Sequence, residues 1–526
     1  MLRKTSRALL TAFLAIALIG CGSAEDPDGD DTNHVNVDPG NDDPGNDDPG
    51  NDDPGNDDPG NDDPGNDDPG NDDPGNDDPG NDDPGNDDPG NDDPGNDEPG
   101  NTGEPTGEDL PGEILQSTMT RDTDPDVDDA TFADFTADNR EFAFSLFSEL
   151  RESEEDDENI FFSPHSISIA LAMTYGGAEN ETRAQMSEAL RFNLDDEQLH
   201  PAFNKLDLEL AKRSEIELEE EEEEEEDQAL ALDVINQTWG QEGFDFVDDY
   251  LDMLALNYGA KMSLVDFILN YEEIRQDINQ WVEAQTNERI VDLLPQNSLD
   301  DTVRFILVNA IYFYGSWSNP FNEDMTSDQD FSLLDGSTAQ VPMMTQDAHY
   351  GFFEDPDEET VAVSLPYVGE EVSMIAFMPL DESDDFGEWE SSFGQQDFDA
   401  VVDGLVTQRV MLSFPRFEDD AEFELKETFE ALGMIDAFDE CAADFEGITG
   451  HPPCIDFASL YIDEIYHQSF VSVDEEGTEA AAATGVVTAT PTSIPPPLSF
   501  DRPFYYAIYD HPTDTILFMG RMVDPS

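Results

Sequence analysis

The stretch "SPHSISIALAMTYGG" (residues 163–177) is an apolar run that ends at a Gly-Gly pair. It predicts an apolar helix that the two glycines terminate. Helical patterns lie on either side of it, in "NREFAFSLFSEL" (residues 139–150) and "NETRAQMSEAL" (residues 180–190). Strand patterns dominate the later half of the chain, for example "TVAVSLPY" (residues 360–367) and "TILFMGRMV" (residues 515–523). Helices first and long antiparallel strand patterns later predict an α+β fold built on large sheets.

The N-terminus has the layout of an export signal. Basic residues precede the short apolar run "ALLTAFLAIALIG" (residues 8–20), and Cys21 follows it. The end of this run, "LIGC", resembles a bacterial lipobox, in which the Cys becomes the lipidated first residue. We therefore expect a lipoprotein signal peptide over residues 1–21 and an exported protein, lipid-anchored at the bacterial outer membrane or cell surface. An ordinary secretory peptide with a coincidental Cys is the alternative.

The region after Cys21 does not have the composition of a folded domain. The unit Asp-Pro-Gly-Asn-Asp repeats twelve times between residues 38 and 97. Its Pro removes backbone donors, its Gly adds conformational entropy and its charges repel one another, so no core can form. We predict a disordered acidic linker over residues 22–129 and one large folded domain over residues 130–526.

The chain is strongly acidic, with 128 Asp and Glu residues against 20 Lys and Arg residues. This charge excludes polyanionic partners such as nucleic acid or heparin. It favours the solvated acidic surface of proteins from salty environments. A calcium-binding role for the Glu-rich run at residues 219–226 lacks a fixed loop of spaced ligands.

Motifs for catalysis are missing from the sequence. It contains no His-Glu-x-x-His zinc motif, phosphate loop, dinucleotide-binding turn or Gly-x-Ser-x-Gly elbow. The seven His residues are scattered, and none lies at metal-ligand spacing to another. We expect no enzyme activity, no cofactor and no metal site.

Several strings, in order along the chain, together resemble the serpin family of serine protease inhibitors. They are residues 159–186, residues 307–321 ("LVNAIYFYGSWSNPF"), residues 473–485 ("VDEEGTEAAAATG") and residues 500–525 ("FDRPFYYAIYDHPTDTILFMGRMVDP"). The resemblance spans residues 130–526 and implies the serpin fold, with helices packed around large, mainly antiparallel sheets and an exposed reactive centre loop. It implies an inhibitor whose loop is cleaved as bait, inserts into the main sheet and traps the protease covalently.

The stretch "DEEGTEAAAATGVV" (residues 474–487) has the pattern that such insertion needs. A strand with one buried face requires small or apolar side chains at every second position. Residues 478, 480, 482, 484, 486 and 488 are all uncharged, whereas Glu479 has the opposite parity. The hinge implied by the resemblance comprises Glu476, Gly477, Thr478, Glu479, Ala480, Ala481, Ala482, Ala483 and Thr484. A merely flexible linker and a non-inhibitory serpin-fold surface binding protein remain as alternatives.

The reactive bond follows from the same resemblance. "TSIPPP" (residues 492–497) resembles the segment beyond the cleaved bond and places cleavage between Thr492 and Ser493. Counting from the hinge places Pro491 at the attacked carbonyl instead, because this loop is one residue longer than usual. Most serine proteases accept Pro poorly there, so we favour Thr492. This small β-branched residue suits a shallow specificity pocket, and we expect elastase-like or subtilisin-like serine proteases as partners.

Other positions carry structural expectations. The resemblance implies that Ser163, Ser166, Asn309 and His467 form a polar cluster under the opening strands of the main sheet. It also implies that Trp317 lies where the loop first enters that sheet. Cys441 and Cys454 are close in sequence in an exported protein, so we expect a disulfide between them. We expect the protein to be a monomer.

Overall fold

The computed structural model describes residues 10–20, 112–115, 117–154, 157–215, 230–286, 290–355, 360–380, 386–455, 458–478 and 495–526. All of them belong to one compact unit. The predicted lipidation site Cys21, the Asp-Pro-Gly-Asn-Asp repeats, the Glu-rich run and residues 479–494 lie outside the described residues.

The described strands form two large sheets. They are β1 (Leu10–Gly20), β2 (Glu113–Leu115), β3 (Ile160–Phe162), β4 (Leu230–Gln241), β5 (Met262–Val265), β6 (Val303–Ser316), β7 (Ser327–Ser332), β8 (Thr338–Asp355), β9 (Thr360–Pro366), β10 (Val372–Pro379), β11 (Val406–Pro415), β12 (Phe417–Glu424), β13 (Leu460–Val473), β14 (Gly477–Thr478), β15 (Pro497–Ser499), β16 (Phe504–Asp510) and β17 (Thr515–Met522). The 8-stranded main sheet has the order β12-β13-β1-β6-β4-β5-β2, with β14 also paired to β6. The 9-stranded second sheet has the order β15-β11-β8-β9-β10-β16-β17-β3, with β7 paired to β8.

Most helices come before the later strands along the chain. The described α-helices are α1 (Asp129–Ser153), α2 (Pro164–Tyr175), α3 (Asn180–Leu190), α4 (Asp196–Leu210), α5 (Asp248–Tyr258), α6 (Phe267–Gln285), α7 (Phe386–Ser392), α8 (Gln395–Gly404), α9 (Lys426–Ala431) and α10 (Glu446–Thr449). Short 3-10 helices span Ala211–Glu215, Glu323–Met325 and Asp436–Phe438. The predicted α+β fold is confirmed.

Helix α2 is the buried helix that the apolar run predicts. All of its residues are buried, and it contacts β17 of the second sheet as well as β6 and β1 of the main sheet. The Ser163 side chain accepts a hydrogen bond from the backbone N–H of Ser166, Pro164 starts the helix, and Gly176 ends it. A helix that is apolar all round must lie inside the protein. Ser166 Oγ donates to Asn309 Oδ1 of the main sheet, whereas Ser168 Oγ donates to Asn139 Oδ1 of α1 at 3.2 Å.

Strand β1 lies where the sequence analysis expects a signal peptide. It pairs antiparallel with β13 on one side and β6 on the other. Leu14, Ile16 and Leu18 join the core between the sheets, whereas Ala15 and Ala17 join a smaller core beneath α6. A central strand buried on both faces has the same continuous apolar pattern as an export signal. Among the described residues, no helix is long and apolar enough to cross a membrane.

The folded body includes residues before the boundary that we expected at residue 130. Strand β2 adds to the edge of the main sheet by antiparallel pairing with β5. Arg121 forms an ion pair with the buried carboxylate of Asp207, and its Nε donates to Asn204 Oδ1 at 2.9 Å. These contacts attach residues 112–128 to the body, although their composition resembles that of the linker.

A Cys441–Cys454 disulfide closes the loop that leads into β13, as the sequence analysis expects. This loop packs on the end of α2, because the backbone N–H of Gly447 donates to the Gly177 carbonyl at 3.1 Å. A Cβ on Gly447 would lie 2.8 Å from that carbonyl oxygen, so the close approach requires glycine. The described residues contain no cluster of His, Cys, Asp or Glu side chains that could hold a metal ion.

Candidate functional site

The main sheet has one strand position between β6 and β13, which we call the slot. β1 occupies most of it, and Leu14 lies opposite Asn309 on one side and His467 on the other. β14 occupies the end of the slot, where Gly477 lies opposite Ser316. Both segments run antiparallel to β6. The slot therefore contains two successive segments that come from opposite ends of the chain.

A tight turn after β13 directs the chain into the slot. The Asp474 carboxylate accepts hydrogen bonds from the backbone N–H groups of Glu476 at 2.9 Å and Gly477 at 3.2 Å. Gly477 has a φ of 144°, and a Cβ there would lie 2.5 Å from the carbonyl oxygen of Gly315. Only glycine fits this conformation and this approach. The turn reverses the chain, so that residues 477–478 pair with β6.

Trp317 closes the entrance of the slot. Its indole N–H donates to the Asp474 carbonyl at 3.0 Å, and its backbone N–H donates to the Glu476 carbonyl at 3.1 Å. Its ring stacks on Tyr367 with centroids 4.6 Å apart. Trp317 thus lies where the loop enters the main sheet, which is the place that the resemblance implies.

Glu475 and Arg416 hold the turn from beneath, and the sequence analysis did not identify either as a site residue. The Glu475 carboxylate is buried, accepts a hydrogen bond from Thr326 Oγ1 at 2.6 Å and lies 3.6 Å from Arg416 Nη1. The backbone N–H of Phe321 donates to the Glu475 carbonyl at 2.7 Å. A buried carboxylate requires such partners. The only sequence signal was the position of Glu475 inside residues 473–485, one of the strings that resemble the family.

Burial changes the pKa values of two carboxyl groups in the turn. Desolvation raises the pKa of Asp474, and the two backbone N–H groups that it accepts from oppose this shift only partly. Desolvation and the neighbouring Asp474 charge raise the pKa of Glu476 as well. Because both pKa values are raised by folding, lower pH favours the folded protein, in which the turn is buried, over the unfolded chain.

A polar cluster lies beneath the middle of the slot. It comprises Ser163, Ser166, Asn236, Asn309 and His467. The backbone N–H of Ser163 donates to His467 Nε2 at 3.2 Å, and Ser163 Oγ donates to the Leu517 carbonyl at 2.7 Å. Ser166 Oγ donates to Asn309 Oδ1, and Asn309 Nδ2 donates to Asn236 Oδ1 at 2.7 Å. The cluster joins α2 to both walls of the slot, β6 and β13, and to β4. Asn236 was not predicted.

The far end of the loop is anchored on the second sheet. β15 pairs in parallel with β11, with Leu498 opposite Leu412. The backbone N–H of Met411 donates to the Pro496 carbonyl at 3.0 Å, and that of Phe500 donates to the Ser413 carbonyl at 2.9 Å. The loop is thus attached to the main sheet at Thr478 and to the second sheet at Pro496.

The predicted site residues divide into two groups. The structure places Glu476, Gly477, Thr478 and Trp317 at the entrance of the slot and the predicted polar residues beneath its middle. The remaining hinge and reactive-bond predictions lie outside the described residues. They are Glu479, Ala480, Ala481, Ala482, Ala483, Thr484, Pro491, Thr492 and Ser493.

Known proteins share this architecture. The family described as serpin (serine protease inhibitor) matches residues 137–525. A leukocyte elastase inhibitor of Xenopus laevis is 33% identical over 387 residues, which are 73% of this chain and 97% of the relative. Leukocyte elastase inhibitor A of Mus musculus is 35% identical over 395 residues, 74% of this chain and 98% of the relative. The crystal structure of the thermophilic serpin tengpin in its native state covers 78% of this chain and all of that chain, with a TM-score of 0.64 and 28% identity.

Proposed function

The chain belongs to the serpin family, and on that premise we propose that it is a suicide inhibitor of serine proteases. Serpins are protease inhibitors rather than enzymes, although the family includes members that do not inhibit. The observation that carries the proposal is the pairing of β14 with β6. Gly477 and Thr478 already pair with β6, antiparallel and in register, at the entrance of the slot.

Continuation of this pairing leads the hinge along the slot. Without a bulge, Ala480 comes opposite Phe313, and Thr484 comes opposite Asn309. Residues of even number then occupy the face that β1 directs into the core, where Leu14 and Ile16 are fully buried. The loop carries Ala, Thr or Val at these positions, and none of them is charged. The uncharged hinge therefore suits both the register and the burial of the slot.

The proposed mechanism has two steps, attack by the protease and insertion of the hinge. The catalytic serine of the protease attacks the carbonyl of the reactive bond, an ester forms, and the peptide bond to the following residue breaks. Insertion of the freed hinge competes with hydrolysis of this ester. About a dozen inserted residues, at ~0.5–1.5 kcal/mol net per hydrogen bond, would release on the order of 10 kcal/mol. This free energy can displace and distort the attached protease before water completes the reaction.

The reactive bond that we propose is Thr492–Ser493, with Pro491 as the alternative attacked residue. No Arg or Lys lies between Glu479 and Arg502, so a trypsin-like target is excluded. Two relatives are named leukocyte elastase inhibitors, which supports a protease with a small, apolar specificity pocket. Elastase-like and subtilisin-like serine proteases are the targets to test.

We also propose that the inhibitor acts as a monomer on a lipid anchor. Lipidation of Cys21 would attach it to the outer membrane or cell surface, and the acidic repeats would act as a spacer. Labelling with radioactive fatty acid, with Cys21→Ser as the control, tests the anchor: label that persists in the Cys21→Ser chain refutes it.

One gel tests the inhibitory function. We expect the chain that begins at Gly22 to form a complex with elastase that resists denaturant. We expect the Thr484→Arg variant to be cleaved by elastase without forming this complex. A guanidinium buried at position 484 without a partner costs several kcal/mol and slows insertion. Ala481→Arg is the matched control, because residue 481 comes opposite the half-buried Tyr312 on the other face. Cleavage of the parent chain without loss of protease activity would favour the alternative, a non-inhibitory surface binding protein.

A further inference from the structure

Strand β1 and the hinge compete for the same backbone positions. β14 ends with Thr478 opposite Gly315, and β1 begins with Leu10 opposite Phe313. Only Tyr314 of β6 separates the two segments along this wall. In the register set by β14, residues from Ala480 onward therefore cannot pair with β6 while β1 is in place.

The two segments also match in side-chain parity. In the register set by β14, Thr484, Val486 and Thr488 would come opposite Asn309, Leu307 and Phe305. Leu14, Ile16 and Leu18 lie opposite these same three residues of β6. In that register Thr484, Val486 and Thr488 would face the core between the sheets, as Leu14, Ile16 and Leu18 do, so one segment would replace the other residue by residue.

β1 fits the slot at least as well as the hinge would. Leu14, Ile16 and Leu18 are completely buried in the main core. Leu14 and Leu18 are larger and more apolar than Thr484 and Thr488, which would take their places. The small side chains of Ala15 and Ala17 fit under α6, beside Trp239 and Ile278. Apolar area buried increases with side-chain size, so β1 removes more of it from water than the hinge does.

We propose that the slot is a binding site for the chain's own N-terminal segment, Leu10–Gly20, and that this segment keeps the unprocessed chain from inhibiting proteases. This inference rests on the proposed function, since exclusion of the hinge matters only if insertion traps the protease. When a protease cleaves the unprocessed chain, the hinge cannot insert. The ester is then hydrolysed, and the enzyme is released as it is from a simple substrate. Hydrolysis of the Gly20–Cys21 peptide bond, the lipoprotein processing step, separates β1 from the domain and opens the slot.

A cross-linking experiment tests the position of β1 without any protease. In the full chain with Cys21→Ser, Ala15→Cys is combined with Val308→Cys, the residue opposite it on β6. The control combines Ala15→Cys with Val303→Cys, which lies five residues further along the same strand and faces the same core. A disulfide requires Cα atoms within about 7 Å. We expect an oxidised cross-link in the first pair and none in the second; no cross-link, or equal yields in both pairs, overturns the proposal.

A second experiment measures the consequence in the full chain. Ile16→Asp places a carboxylate in the main core and should expel β1, whereas Ser6→Asp adds the same charge outside the strand. We expect Ile16→Asp to form at least ~10-fold more denaturant-resistant complex with elastase than the parent or Ser6→Asp chain, which are merely cleaved. Equal complex formation by all three chains would overturn the proposal that β1 keeps the hinge out of the slot, and it would leave the proposed inhibitory function intact. Cross-linking of Ala15→Cys to Val308→Cys without complex from any chain, including the one that begins at Gly22, would refute the inhibitor and leave the docking of β1 standing.

Discussion

The hairpin of β16 and β17 and the slot are both buried strand positions, but the chain builds them differently. β16 and β17 are consecutive, and residues 511–514 join them, with Asp510 opposite Thr515. The walls of the slot are distant in the chain, and its main occupant comes from the N-terminus. A short connection holds the register of a hairpin, whereas a distant strand is held only by its pairing and packing. The hairpin is therefore a permanent part of the fold, and the slot can exchange its occupant.

The two places also differ in what lies beneath them. Phe518 of β17 stacks on Phe161 with centroids 5.5 Å apart, and Tyr505 of β16 meets Phe147 edge-on at 4.8 Å. Beneath the slot lies the polar cluster, whose members hydrogen-bond between α2 and the slot walls. Aromatic packing depends on one close-packed arrangement. Hydrogen bonds from short side chains can persist when a different strand fills the slot.

The largest expected effect is on the hairpin. Phe518→Ala should lower the free energy of unfolding by about 3–5 kcal/mol, because it leaves a cavity between the two sheets. Urea unfolding measures this loss. Leu334→Ala, at an exposed apolar residue, is the control and should change stability by less than about 0.5 kcal/mol. A loss no greater than that of Asn309→Ala would remove the contrast between hairpin and slot.

The next largest effect is the pH dependence of stability that the buried imidazole of His165 in α2 should cause. Burial lowers the pKa of His165 from its usual 6.5 to about 4. As the pH falls through 6.5, the unfolded chain gains a proton that folded His165 does not, so stability decreases until about pH 4. At ~1.4 kcal/mol per pKa unit the loss is about 3 kcal/mol.

His165→Leu should remove that part of the pH dependence of unfolding, and His451→Leu, at an exposed His, should keep it. If the pH dependence of the unfolding free energy is the same for His165→Leu and the parent chain, His165 is not held buried and uncharged in α2.

The disulfide should have an intermediate effect. Replacing Cys441 and Cys454 by Ser opens a loop with a sequence separation of 13 residues. A loop of this size predicts a loss of about 2–3 kcal/mol, because the unfolded chain gains freedom. Denaturant midpoints of the double variant and of the reduced parent chain should agree. If reduction leaves the midpoint unchanged, the wall strand β13 does not depend on this link.

The smallest expected loss of stability is at the slot itself. Asn309→Ala removes the partner of Ser166 Oγ and of Asn236 Oδ1 and should cost about 1–2 kcal/mol. Asn319→Ala, at an exposed Asn on the same segment, is the control. Asn309→Ala should also weaken the walls of the slot and speed cleavage-induced insertion, which native gels can follow. Unchanged stability and insertion rate would show that the polar cluster does not govern the slot.

Much of the fold could be predicted from the sequence, because it depends on local patterns. The apolar run before Gly176 predicts the buried helix α2, and the strand pattern at residues 515–523 corresponds to β17 of the hairpin. The family resemblance also indicated Ser163, Asn309 and His467. It missed Asn236, Glu475 and Arg416, since an isolated polar residue carries no signal of the partner that it meets across the fold.

The sequence by itself determined the α+β class, the serpin family and an uncharged hinge with alternate small residues, because each depends on the order and period of nearby residues. Only the tertiary structure decided that Leu10–Gly20 lies in the slot. An apolar run of this length is compatible with an export signal and with a strand buried on both faces, and only the environment that it meets separates the two. The structure also decided that α6 covers the other face of the slot, beneath which Ala15 and Ala17 lie. Such contacts join residues that are hundreds of positions apart, and no local pattern encodes them.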